Sequence, residues 1–320
     1  MGEIKLSVIV PVFNVEKYIE RCFRSLMEQT MKDGIEFIFI NDCTPDKSMQ
    51  ICERLVSEYP ERAKQVVFVN NKKNLGVSET RRKGVEIARG KYIGWCDSDD
   101  WCDNNMFEEM CRVAYEKNSD IVVCNYWEIY KEERRLAIRI WHSNSPCEAI
   151  ENSYKRRTFS GVLWNQLVKR ELFQKCWERI VPTNYSEDTY VLFHVYSEAK
   201  SYQVVDAFLY YYRKDNEKSL MHLRENTMSA WLIQQENLKR IEQLYYMNDG
   251  WKHFHVALNG FIFERKCLYK GAFSSKKDFF NTFRHSSKDI IRFYDWRKLS
   301  TWKMYIVHNC YLIMKLLKSF

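Results

Sequence analysis

Along residues 1–125, apolar positions fall into two alternating patterns. One is a short run of consecutive, β-rich apolar residues: Leu6 to Val10 (stopped by Pro11), Ile35 to Ile40 (entered through Asp33-Gly34), Val66 to Val69, Tyr92 to Cys96, and Ile121 to Cys124. The other recurs at helical spacing: Ile19, Cys22, Phe23 and Leu26; then Ile51, Cys52, Leu55, Val56 and Tyr59; then Phe107, Met110, Cys111 and Ala114. A further helix is expected from Gly76 to about Ala88. The runs predict strands and the spacing predicts amphipathic helices. Strands apolar on both faces and separated by such helices imply a mostly parallel sheet covered on both sides. Ligands of such sheets bind at the carboxyl ends of the strands. Attention therefore falls on Pro11-Val12-Phe13-Asn14, Asn41-Asp42, Asn70 to Asn74, and Asp97 to Asp100.

Beyond this region the pattern changes. Residues 126–220 mix strand and short-helix signals, and residues 221–320 are mostly helical in pattern and rich in Trp, Tyr, Phe, Lys and Arg. Three regions are thus expected: 1–125, 126–220 and 221–320. The 46% hydrophobic and 29% charged composition belongs to a folded chain. The net charge of +8 is concentrated, because residues 221–320 hold 17 Lys and Arg against 8 Asp and Glu. That favours a local electrostatic partner at the C-terminal third and argues against a nucleic-acid-binding protein. The 11 cysteines include no C-x-x-C pair, and those on apolar faces, Cys22, Cys52 and Cys111, behave as small hydrophobes. With neither a leader pattern nor a spanning apolar stretch, the expected compartment is the cytoplasm.

The chemistry concentrates at Asp97-Ser98-Asp99-Asp100. Three carboxylates this close repel one another unless something neutralises them. Mg²⁺ or Mn²⁺ would do so, since both take carboxylate oxygens together with substrate phosphates. The competing reading is a solvated acidic turn with Asp103 capping the next helix.

Taken together, several strings resemble glycosyltransferase family 2, which has the GT-A fold. In order they are Val8 to Asn14; Phe39-Ile40-Asn41-Asp42-Cys43-Thr44; Asn74-Leu75-Gly76-Val77-Ser78 with Arg81 and Gly84; Gly90-Lys91-Tyr92-Ile93 leading to the acidic run; Trp164-Asn165-Gln166-Leu167; Glu187-Asp188; and Tyr211-Tyr212-Arg213. The resemblance covers roughly residues 4–220. It implies an inverting transferase acting on a nucleotide-sugar donor, with UDP favoured, and a saccharide or lipid-linked glycan acceptor, as in surface polysaccharide synthesis. By the same resemblance Pro11, Val12 and Phe13 line the base and ribose, and Asp42 accepts a hydrogen bond from the base. Arg81 and Arg213 lie near the diphosphate. Asp97 contacts the ribose or donor sugar, Asp99 is the ligand of Mn²⁺ or Mg²⁺, and Asp188 is the catalytic base. Trp164 and Glu187 fall on the acceptor side.

Two rival functions differ in sequence signals. A sugar-phosphate nucleotidyltransferase should carry a Gly-rich, basic loop after the first strand, and Pro11 to Asn14 supplies none. A non-catalytic nucleotide- or sugar-binding protein of the same fold would have no need of both the acidic run and Asp188. The segment Trp302 to Lys318 is apolar, aromatic and basic but interrupted by His308-Asn309. Two readings stand for it: docking at a membrane interface, which would place the protein peripherally on the inner face, or packing against protein.

Overall fold

The structure, a computed structural model, describes residues 3–131, 134–140, 142–150, 161–216 and 228–247, together with 258, 261, 262 and 265. Strands β1 (Leu6–Val12), β2 (Ile35–Asn41), β3 (Val66–Asn70) and β4 (Tyr92–Trp95) pair in parallel in the order β3-β2-β1-β4. Helices α1 (Ile19–Met27), α2 (Ser48–Leu55), α3 (Pro60–Ala63) and α4 (Val77–Ile87) connect them. Val8, Ile9, Val10, Phe37, Ile38, Phe39 and Ile40 have no more than 1% exposure, so both faces of the central strands are covered. Each such side chain contributes about 1.5–3 kcal/mol of transfer free energy. The helix expected across 51–59 is interrupted. It ends at Leu55, passes through a 3₁₀ turn at Val56–Glu58, and restarts at Pro60. The cause is Pro60, which disfavours helical backbone at the preceding Tyr59 (φ −126°, ψ 64°).

The remaining elements are β5 (Trp101–Cys102), α5 (Met106–Glu116), β6 (Ile121–Tyr130), β7 (Arg134–Ile138), β8 (Gln166–Lys169), α6 (Arg170–Trp177), α7 (Glu187–Glu198) and β9 (Tyr202–Arg213). They extend the sheet as β4-β8-β6-β9-β5, with β7 against β6. In this half only β6 and β9 run parallel, and the β4–β8, β6–β8, β6–β7 and β5–β9 pairs are antiparallel. The sheet is therefore mixed, with the β1–β4 block parallel throughout and a further parallel pair at β6–β9. Strands from both 1–125 and 126–220 share it, and they belong to one compact unit of residues 1–146 and 160–223.

The second unit comprises residues 147–159 and 224–320. Its described part contains α8 (Met228–Met247), which buries Trp231, Leu238 and Ile241. The basic segment Trp302 to Lys318 lies outside the described residues. Among the described residues no helix is long and apolar enough to cross a membrane.

Gly90 fixes the entry to β4. A Cβ there would stand 2.4 Å from the Ser7 backbone nitrogen and 2.6 Å from the Leu6 carbonyl carbon. The Gly90 N–H also donates to Ser7 Oγ at 2.8 Å. Backbone yields less readily than side-chain tips, so Gly90→Ala is expected to destabilise the fold by about 2–3 kcal/mol. Chemical denaturation with unchanged slope and a lower midpoint is the expected result.

Candidate active site

The carboxyl ends of β1, β2 and β4 lie on one edge, as the parallel registers require. After β1, Val12 is fully buried and Phe13 is 45% exposed. Val12 therefore offers no surface to a ligand in this structure, whereas Phe13 is accessible. Pro11 is half-buried. Asp42, at the end of β2, is 3% exposed. Its carboxylate accepts hydrogen bonds from Asn71 Nδ2 at 2.9 Å, the Leu75 N–H at 2.8 Å and the Gly76 N–H at 2.9 Å. The carboxylate is turned inward and shapes the turn before α4. Gly76 sits in that turn at φ 83°, a conformation that favours glycine. The same turn presents Leu75 at 39% exposure. Hydrogen bonds from the Asp42 N–H to the Val12 carbonyl, and from the Leu75 N–H to Asp42, tie Phe13 and Leu75 to one neighbourhood. Leu75 escaped sequence reasoning, although an apolar residue in an otherwise polar loop was a usable signal.

The acidic run leaves β4 and divides by burial. Asp97 and Asp99 are half-buried, while Asp100 is 1% exposed. Asp100 accepts hydrogen bonds from the Arg213 N–H at 2.7 Å and the Tyr210 hydroxyl at 2.8 Å. The Tyr210 oxygen in turn accepts the Asp97 N–H at 3.1 Å. Burial, then the charges of Asp99 and Asp97, push the Asp100 carboxyl well above the usual carboxylate range. Asp103 is not the cap expected in the solvated-turn reading. The residue at the start of α5 is Asn105.

Arg81, on α4, is 5% exposed. It is no surface residue, and it joins two distant pieces of chain. Its Nη2 donates to Asp97 Oδ1 at 2.5 Å, and its Nη1 donates to Glu187 Oε1. Burial opposes its charge, but Asp97, Glu187 and Asp188 outweigh that and raise its pKa. Glu187 is 4% exposed at the first turn of α7. Its carboxyl is buried and paired with Arg81. The next residue, Asp188, is half-buried, and its Oδ1 accepts the Thr189 N–H at 2.7 Å. A carboxylate is favoured at this helix N-terminus by the unpaired N–H groups of the first turn.

Trp164 and Arg213 complete the surroundings of the acidic run. Trp164 is 2% exposed and stacks on Tyr210, with ring centroids 4.4 Å apart and planes at 10°. It also meets Tyr126 edge-on at 4.7 Å. A ring so covered packs as core and backs Tyr210. Arg213 ends β9. Its Nε donates to the Asp99 carbonyl at 3.1 Å, and its guanidinium lies over Tyr18 and Trp101, at 4.9 Å and 5.2 Å. It therefore holds the acidic run in place. Beyond it, Asn216 Nδ2 donates to Asp99 Oδ2 at 2.7 Å. Neither Asn216 nor Tyr210 was anticipated. Strand alternation places Tyr210 and Tyr212 on one face of β9 and could have indicated Tyr210, whereas nothing in the sequence marks Asn216.

The donor set suits a hard divalent cation. Burial and the adjacent charge of Asp97 push the Asp99 carboxyl up, which is repulsion that a cation would relieve. Among the described residues no cluster of three or more His, Cys, Asp or Glu is arranged to hold a metal ion. Mg²⁺ requires no such cage, since one or two carboxylates suffice when substrate phosphates supply further oxygens. Asp99 and Asp97 fit that role.

Burial pushes the Glu187 carboxyl up to about 8, against the pull of Arg81 and with help from Asp188. A carboxyl whose folded pKa is raised contributes stability in full below the unfolded value of 4.5, and this is lost as pH rises through about 8. Glu187→Gln is therefore expected to flatten the decline of thermal stability between roughly pH 5 and pH 8. Melting curves across that window provide the check, and an unchanged slope would refute the assignment.

The molecule has clear likenesses. The sequence model of glycosyl transferase family 2 matches residues 7–177. The uncharacterized glycosyltransferase EpsJ of Bacillus subtilis is 32% identical over 227 residues, covering 68% of this chain and 63% of that protein. The chain thus spans less than two thirds of this relative's length. Among solved structures, S. aureus TarS 1–349 in complex with UDP-GlcNAc superposes with a TM-score of 0.67 at 18% identity, covering 95% of this chain and 79% of that one. The mannosyltransferase PcManGT from Pyrobaculum calidifontis, in complex with GDP-Man and Mn²⁺, gives a TM-score of 0.53 at 12% identity, covering 99% and 83%. These two likenesses concern the fold, which is that of GT-A glycosyltransferases. The family match extends over more than half of the chain and includes β1, α4, the acidic run and β8, and on that ground the chain belongs to glycosyltransferase family 2.

Proposed function

We propose that this protein transfers a sugar from a nucleotide-diphosphate donor, with UDP favoured, to a hydroxyl of a saccharide or lipid-linked glycan acceptor, inverting the anomeric configuration. The observation that carries this reading is the Arg81 bridge. It connects Asp97 of the acidic run to Glu187, the neighbour of Asp188. The carboxylates suited to the donor and the carboxylate suited to the acceptor thus surround one buried cation. UDP-GlcNAc bound to TarS supports the choice of donor class.

In the proposed reaction the acceptor oxygen attacks the anomeric carbon as the bond from that carbon to the diphosphate oxygen breaks. The hydroxyl proton passes to Asp188, and the nucleoside diphosphate departs. Asp188 needs only hydrogen-bonding reach to the hydroxyl, because the proton moves late. Phe13 and Leu75 offer apolar surface to the base, with half-buried Pro11 beside it and Val12 packed beneath. Arg81 keeps Asp97 oriented toward the ribose or donor sugar. Asp99, steadied by Asn216, would hold Mn²⁺ or Mg²⁺ with support from Asp97. When bound, such an ion stabilises charge on the departing oxygen.

Asp188→Asn should lower transfer by about 10²–10⁴-fold while nucleotide binding stays near the wild-type value. Release of nucleoside diphosphate from a panel of nucleotide sugars measures the first and calorimetry the second. Full activity in the variant would remove Asp188 from the role. In parallel, Asp99→Ala should lose the Mn²⁺-dependent part of uridine diphosphate binding in titrations with and without the ion, and retention of that part would reassign the metal ligand.

A further inference from the structure

Three paired residues on adjacent strands form a row across the sheet. Leu136 of β7 pairs with Glu128 of β6, and Glu128 pairs with Tyr212 of β9. Side chains of paired residues share a face, and the row spans about 10 Å at the usual strand spacing. Leu136 is 47% exposed, and Glu128 and Tyr212 are half-buried. Tyr210, two residues before Tyr212, lies on the same face and binds Asp100, so this is the face that meets the acidic run.

Tyr212 is held from two sides. Its ring centroid lies 5.2 Å from that of Trp164, and the Lys214 ammonium stands 4.7 Å over the ring. The Tyr212 hydroxyl makes no hydrogen bond among the described residues. Burial, then the charges of Asp100, Asp97, Asp99 and Asp188, raise its pKa, so it keeps its proton and can donate. Beside it, Glu128 Oε2 accepts the Tyr130 hydroxyl at 2.8 Å, and Oε1 lies 3.8 Å from Lys214 Nζ. A carboxylate offers about four lone-pair positions, so Glu128 can accept further hydroxyls. The row also lies close to the start of α7. Thr189, next to Asp188, donates from its hydroxyl to the Gly161 carbonyl at 3.0 Å. Trp164 follows shortly after Gly161 and touches Tyr212.

We propose that Tyr212, Glu128 and Leu136 form the acceptor subsite and bind an uncharged pyranose at the end of a glycan. The inference rests on the transferase reading above. The Tyr212 hydroxyl and the Glu128 carboxylate bind sugar hydroxyls, and Leu136 packs on the apolar C–H face of the ring. Glu128 and Lys214 balance each other's charge, which suits a neutral ligand rather than a polyanion. A few fixed polar groups beside apolar surface are what orient a small ligand.

Saturation-transfer NMR on the full chain tests this with the methyl glycosides of glucose, galactose, mannose and N-acetylglucosamine, in the presence of uridine diphosphate and Mn²⁺. At least one glycoside should receive saturation. Tyr212→Phe removes the hydroxyl and leaves the ring between Trp164 and Lys214, and Leu136→Asn alters an exposed side chain. Both variants should fold, which thermal melting checks. Each should weaken glycoside binding by about fivefold or more, while calorimetry gives an unchanged affinity for uridine diphosphate. Unchanged glycoside binding in either variant, or a parallel loss of uridine diphosphate affinity, would overturn the proposal. So would a wild-type dimer that Leu136→Asn dissociates, since Leu136 would then serve a self-contact. The nucleotide titration separates the two readings. Wild-type binding of uridine diphosphate without any glycoside strikes only the acceptor subsite, and binding of neither strikes the transferase reading as well.

Discussion

A single buried guanidinium organises the candidate site. Arg81 is held within the unit by α4, and its two terminal nitrogens reach carboxylates that lie 16 and 106 residues away along the chain. Without it, Glu187 and Asp97 would be acids facing each other in a poorly solvated space. Removing one partner from such a buried arrangement costs roughly 3–5 kcal/mol, because the remaining charge is left uncompensated. The bridge therefore constrains the start of α7, and with it Asp188, to one position relative to the end of β4. Packing supports the same geometry. Gly84, one turn beyond Arg81, lets α4 approach so closely that a Cβ would meet Ile9 Cγ2 at 2.5 Å.

A second constraint acts from β9. Alternation along that strand sends Tyr210 inward, and the flat contact with Trp164 locks its ring. The hydroxyl then joins Asp97 and Asp100 through two hydrogen bonds. The next inward residue, Tyr212, also feels the charge of Asp100, Asp97, Asp99 and Asp188, in addition to its burial. These four acids consequently lie around one aromatic floor. Core packing and site chemistry are thus the same set of contacts, and this explains why Trp164 belongs to the core.

What the sequence disclosed follows from how local each signal is. The strands and helices of residues 6–116 were legible because period and burial coincide there. Pro60 broke one helix through a rule that also acts locally. Helix α7 was harder to read, because it buries residues on nearly every side and shows little amphipathic contrast. The acidic run and Asp188 stood out by residue type, position and resemblance. The inward turn of Asp42, the burial of Glu187 and the reach of Asn216 depend on contacts 29 to 117 residues apart. No window of sequence contains those contacts, and an exposed and a buried carboxylate are written with the same letter.

That distinction decides the electrostatics of the cluster. Asp97, Asp99, Asp100, Glu187 and Asp188 are five acids set against the two guanidinium groups of Arg81 and Arg213. Burial together with neighbouring acids raises the pKa of Asp99, Asp100 and Glu187, the direction expected where negative charge is in excess. A divalent cation would relieve the same excess from the outer side, where Asp97 and Asp99 are half-buried.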